Sequence, residues 1–272
     1  MRILIIKNLS EFPKPLEIKK KSKWKSWEAH VSTWQCPAGT VPVRNDETTS
    51  STSTGETYRH EVSPDLYQDN KSRLFIYWTS DTYNVTGCYN LQCRGFIQTS
   101  NTIILGGTIT PVSTFEGKQF EITVSVWKDQ ESENWWLSLG SNHSLVGYWP
   151  GTIFPNLAYA DDVQWGGEVV NSQSLGRHTT TQMGSGRFSD GGFRKVSYFR
   201  NLEIVDNNRF KSVRDVGVLV DDPKFYNIRA MFRDDWGSYI LYGGPDRMNS
   251  GVSFLALSSF IFYFSFIIFL II

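Results

Sequence analysis

Apolar and polar residues alternate one by one in Phe120-Glu121-Ile122-Thr123-Val124-Ser125-Val126, the spacing of a strand with one buried face. Short apolar runs at 74–78, 95–99, 103–109, 135–139 and 144–149 predict further strands. Polar turns at 129–134 and 140–143 join neighbouring runs as hairpins. Later runs at 192–201, 225–229 and 238–242 extend the series, and only 154–160 suggests a helical turn. Many strands at short intervals, with no alternating helices, predict an all-β protein, an antiparallel sandwich or barrel.

The flanks read differently. Residues 1–44 are a polar amino-terminal segment, with lysines crowded between Lys19 and Lys25 and with Trp24, Trp27 and Trp34 among them. Nothing periodic organises residues 11–35, so they read as a solvated linker or as a basic-aromatic patch. Residues 45–57 are a Ser/Thr-rich linker by composition, and the folded domain is expected over 58–249. Residues 250–272 form a Phe- and Ile-rich tail, uncharged from Val252 onward. That stretch is long enough to span a bilayer as a helix, so it predicts a carboxy-terminal hydrophobic helix and membrane attachment. The opposing reading is a translated stretch foreign to the domain.

Lys+Arg and Asp+Glu both number 27, so the chain carries no net charge and offers no electrostatic case for nucleic acid. Aromatic residues make up 15% of the chain, which strengthens the β reading. Cys88 and Cys93 are spaced to close a short disulfide loop at a strand corner. Too few ligands surround them for zinc, so neither a metal nor a cofactor is expected. A disulfide implies an oxidising compartment, and sequons at Asn8, Asn70, Asn84 and Asn142 agree with it. The apolar run of residues 3–6 is nevertheless too short for a signal-peptide core.

Candidate chemistry centres on Trp165-Gly166-Gly167-Glu168-Val169-Val170. Two glycines let the backbone bend or approach a partner, and a carboxylate beside a Trp in such a kink is placed. Glu168 is therefore one candidate acid, or else a hydrogen-bonded carboxylate in a bulge. The histidines show neither metal nor triad spacing, and Gly184-Ser185-Gly186 lacks the spacers of a nucleophile elbow. Trp149, Trp135 and Trp136 either line a cleft for a proline ring or fill the core.

These segments together resemble the neprosin family of secreted plant proteins. The resemblance is carried by Leu66-Tyr67-Gln68-Asp69-Asn70, Tyr77-Trp78-Thr79-Ser80-Asp81 and Thr86-Gly87-Cys88-Tyr89-Asn90-Leu91. It continues through Gly147-Tyr148-Trp149-Pro150, Trp165-Gly166-Gly167-Glu168-Val169, Thr181-Gln182-Met183-Gly184-Ser185-Gly186 and Tyr242-Gly243-Gly244-Pro245, in family order. Cys36 to Arg44 resembles the end of the family's pro-segment.

The resemblance implies a β-sandwich and a glutamic endopeptidase that cuts peptide or protein substrates after proline, in acid, in the secretory pathway or outside the cell. It implies a Glu–Glu pair. One member maps onto Glu168. The other falls near Thr57, so Glu56 is the nearest candidate, with an ordinary linker residue as the alternative. Trp165 and Trp149 are the candidate substrate-binding rings. The strands that the family carries before that Glu are replaced here by the Ser/Thr linker, so the expected sandwich lacks several amino-terminal strands. A family cysteine is Phe225 here. A non-catalytic sandwich binding carbohydrate or peptide is the alternative, and a two-carboxylate glycosidase a third reading.

Overall fold

The computed structural model describes residues 71–81, 85–160, 162–169, 182–206 and 209–245, with short strands at 26–28, 30–31 and 267–270. The amino-terminal strands are β1 (Ser26–Glu28) and β2 (His30–Val31). The middle of the chain forms β3 (Phe75–Trp78), β4 (Cys88–Tyr89), β5 (Ile97–Gln98), β6 (Ile109–Thr110), β7 (Gln119–Glu121), β8 (Val124–Lys128), β9 (Trp135–Leu139) and β10 (Ser144–Trp149). Then come β11 (Ser197–Phe199), β12 (Glu203–Asp206), β13 (Arg209–Ser212), β14 (Asn227–Arg233), β15 (Gly237–Gly243) and β16 (Ile267–Leu270). Helical structure among the described residues is limited to single 3-10 turns at Gly151–Ile153 and Ser189–Gly191.

The fold is all-β and mostly antiparallel. One sheet has the order β5-β10-β9-β8, and a second β11-β15-β14. The first follows directly from the sequence pattern. The turn expected at 129–134 closes with Asp129 N–H donating to Asn134 O at 2.9 Å, and the one at 140–143 with His143 N–H donating to Gly140 O at 3.0 Å. One face of this sheet supplies Val126, Trp135, Leu137, Leu139, Val146 and Trp149 to the main core, which also takes in Leu74, Ile76 and Phe96. The opposite face is covered in part by the β12–β13 hairpin, where Trp127 packs with Val205 and Phe210.

Three expectations change. The alternating stretch from Phe120 is not one strand. It breaks at Ile122 and Thr123, so β7 pairs with β1 while β8 pairs with β9. Ile122 is buried at the break and Thr123 O accepts from Gly140 N–H at 2.9 Å, so one periodic run turns a corner between two sheets. The polar segment at 11–35 is not wholly linker. β1 pairs parallel with β7 and β2 antiparallel with β6, because an exposed strand edge selects backbone donors and acceptors rather than an apolar pattern.

The carboxy-terminal helix is the third. Residues 267–270 form β16, a strand that pairs parallel with β3. A Phe- and Ile-rich run suits a strand as well as a helix, and the β3 edge satisfies its backbone. Among the described residues no helix is long and apolar enough to cross a membrane. The remainder of 250–272 lies outside the described residues, as do Glu56 and the rest of the 45–57 linker.

Candidate active site

Glu168 follows two buried glycines and is itself half-buried. The segment around it lies against a small core of Met183, Leu202, Tyr226, Ile240 and Tyr242, on which Trp165 and Val169 pack from either side. Gly167 makes this possible. A Cβ there would lie 2.7 Å from Met183 Cγ and 2.7 Å from Tyr242 Cε2. Every L side chain is therefore too large for the gap, and the glycine lets the chain that carries Glu168 sit directly on the core. One carboxylate oxygen, Oε2, is closed off from solvent.

Two other glycine-rich segments meet at the same core. Met183 bridges Gly244, with its N–H donating to Gly244 O at 2.7 Å. Met183 to Gly186 closes a turn in which Gly186 N–H donates to Met183 O at 3.0 Å. Gly184 takes φ +59°, and a Cβ on it would meet Ser197 Oγ at 2.5 Å. Segments far apart in sequence are thus joined by main-chain contact, which explains their small residues without invoking chemistry at each one.

The candidate rings divide. Trp165 is half-buried and packs on the same small core three residues before Glu168, so it remains a candidate to flank a bound substrate. Trp149 does not. It is 0% exposed, stands edge-on to Phe96 with ring centroids 4.6 Å apart, and is a core residue with no face open to a ligand. Alternation decides this, because Tyr148 and Trp149 are adjacent on β10 and must point to opposite faces. Trp135 is likewise fully buried.

The remaining candidate ring, Trp136, belongs to a row on the other face whose alignment the sequence did not show. Trp127, Trp136, Tyr148 and Ile97 stand opposite one another across β8, β9, β10 and β5. The β12–β13 hairpin covers the Trp127 end, while Ile97 at the far end is 44% exposed. The Trp136 and Tyr148 rings are half-buried and 4.7 Å apart. The signal was present as an adjacent aromatic pair in each of two neighbouring strands, but register is needed to show which member of each pair aligns on this face.

Two other carboxylates are held by structural partners. Glu121 takes a bidentate contact from Arg200 Nε and Nη2, both at 2.5 Å, and the Tyr198 hydroxyl donates to it at 2.9 Å. Burial, and then the Glu121 charge, push the Tyr198 phenol far above its usual range. This ties β7 to β11. Asp81 accepts from the Thr86 hydroxyl at 2.7 Å and from the N–H groups of Thr86 and Val85 at 2.9 and 2.8 Å. Those bonds, the Thr86 hydroxyl first, hold its carboxyl at about 2. Cys88 and Cys93 form the expected disulfide, with Cα atoms 6.0 Å apart.

Fold and site together define an antiparallel all-β domain that presents a half-buried carboxylate from a glycine-rich corner. Comparison with known families makes this specific, because the Neprosin family model matches residues 43–245, more than half of the chain. The chain belongs to the Neprosin family. The matched span includes Glu56 and ends at Pro245, ahead of the apolar tail.

Proposed function

We propose that this protein is a neprosin-like glutamic endopeptidase that cleaves peptide bonds after proline in acid, with Glu168 as one of two catalytic carboxylates. The observation that carries this reading is the seating of Glu168. It stands in the Trp-Gly-Gly-Glu-Val segment of a family member, on a backbone fixed by three converging glycine segments, with Trp165 packed on the same core. Such a frame holds a reacting group to a narrow range of positions, as proximity catalysis requires. Glu56 is the proposed partner acid, and the sheets that share the main core are proposed to be layers of one sandwich. The disulfide supports a route through an oxidising compartment.

Two neighbouring carboxyls cannot both ionise without a penalty, so one keeps a proton and a water sits between them. The ionised acid takes a proton from that water as it attacks the peptide carbonyl. The protonated acid donates a hydrogen bond to the carbonyl oxygen and then gives its proton to the leaving nitrogen. Either acid alone loses most of this chemistry. Glu168→Gln should therefore abolish cleavage of a proline-containing peptide at acid pH, and Glu56→Gln should do the same. Undiminished turnover by the Glu168 variant would remove it from the mechanism.

The aromatic row from Trp136 to Ile97 favours a second reading, a non-catalytic domain that binds peptide or carbohydrate on its open sheet face. Quenching of Trp136 fluorescence by such a ligand, with the same affinity in Glu168→Gln, would favour it.

A further inference from the structure

We infer that Asn142 is an acceptor for an N-linked oligosaccharide. It opens the triplet Asn142-His143-Ser144, which spans the tip of the β9–β10 hairpin. Leu139 pairs with Ser144, and between them Gly140 O accepts from His143 N–H at 3.0 Å. Ser141 and Asn142 are thus the two central residues of a β-turn, the outermost point of the hairpin. Gly140 at φ +79° and His143 at φ +50° supply the left-handed backbone that turns the chain.

The side chain is disposed for the modification. Asn142 is exposed, and its Oδ1 accepts a hydrogen bond from the Ser144 hydroxyl at 3.0 Å. The acceptor amide and the hydroxyl of its own sequon therefore already lie side by side. Among the described residues Asn142 Nδ2 donates to nothing, so a sugar attached there breaks no internal bond. The turn also stays on the surface, because the core-facing residues of the two strands, Leu139 and Val146, begin beyond it.

The co-reactant is an oligosaccharide carried on a lipid pyrophosphate. The Asn142 carboxamide nitrogen forms a bond to the anomeric carbon of the first sugar, the bond from that carbon to the pyrophosphate oxygen breaks, one amide proton is lost and the lipid pyrophosphate leaves. For the natural chain this rests on the secretory reading given above.

The full chain, fused behind a cleavable secretory leader and made in a eukaryotic host, tests the inference. The leader delivers the chain whatever its natural address, and oxidation of Cys88 and Cys93, read by thiol alkylation, identifies molecules that arrived. In that oxidised fraction the peptide containing Asn142 should be missing at its unmodified mass. Peptide-N-glycosidase treatment in heavy-oxygen water should then return it as labelled Asp. Ser144→Ala should abolish the label at Asn142, and Ser144→Thr should keep it. An oxidised chain with unmodified Asn142, or a label that survives Ser144→Ala, overturns the inference. The same chain without the added leader tests the secretory reading separately.

Discussion

Replacing Gly167 with alanine tests whether close packing fixes the position of Glu168. Gly167 does not have a positive φ, so alanine meets no backbone penalty and the effect is steric alone. The new methyl would lie 2.7 Å from Met183 Cγ, 2.8 Å from Met183 Sδ and 2.7 Å from Tyr242 Cε2. Tyr242 is 1% exposed and stacks on Phe199 at 5.6 Å, so it has nowhere to move. Met183 is flexible but is 6% exposed and tied through its N–H to Gly244. Forcing a methyl into such a site costs roughly 1–3 kcal/mol. For a domain of this size that lowers Tm by about 2–12 °C. A shift of the adjacent Glu168 by a fraction of an ångström should also cut kcat/KM by about tenfold or more. Thermal unfolding and peptide turnover of the variant measure both quantities. Adding Met183→Ala removes the obstructing side chain, so the two substitutions should couple favourably by about 1 kcal/mol. An alanine variant with wild-type Tm and turnover, or additive behaviour in the double variant, would refute the packing account.

Trp149→Ala should cost about 3–5 kcal/mol, measured by denaturant unfolding, because it empties a fully buried site; a loss below about 1 kcal/mol would contradict its place in the core. Glu121→Gln leaves Arg200, whose side chain is 21% exposed, without its bidentate acceptor. We expect a loss of about 2–3 kcal/mol, largely restored when Arg200 is also replaced by Met; no coupling between the two would mean that the pair is inert. The Asp81 carboxyl has its pKa lowered from 3.8 to about 2. A depressed folded pKa contributes stability above the unfolded value and loses it as pH falls through the folded one. The bonds from Val85 and Thr86 to Asp81 should therefore persist to between about pH 4 and 2, where Asp81→Asn should have removed the pH dependence; identical acid unfolding of the two proteins would sink this.

Strand identity was most legible where alternation and turn residues agreed. β9 and β10 occupy the stretches their sequence predicts, and both flanking turns close as expected. The run at 103–109 shows the limit of such reading. It yields only β6 at its end, because Leu105 and Gly106 turn the chain and Gly106 takes φ +80°. The β12–β13 hairpin is hard to read from sequence, because β13 (Arg-Phe-Lys-Ser) carries a single apolar residue and only Asn207-Asn208 signals a turn.

By itself, the sequence determined local matters: the all-β class, the hairpins, the disulfide spacing and the Trp-Gly-Gly-Glu segment. Each depends on residues only a few places apart, where backbone geometry and side-chain periodicity act directly. Tertiary structure alone decided what Gly167 is for, that Trp149 faces inward, that Trp136 and Tyr148 align in one row, and that 267–270 lies along β3. Those outcomes depend on which distant surface arrives opposite, and close packing lets only one arrangement fill the space without voids or unpaired backbone.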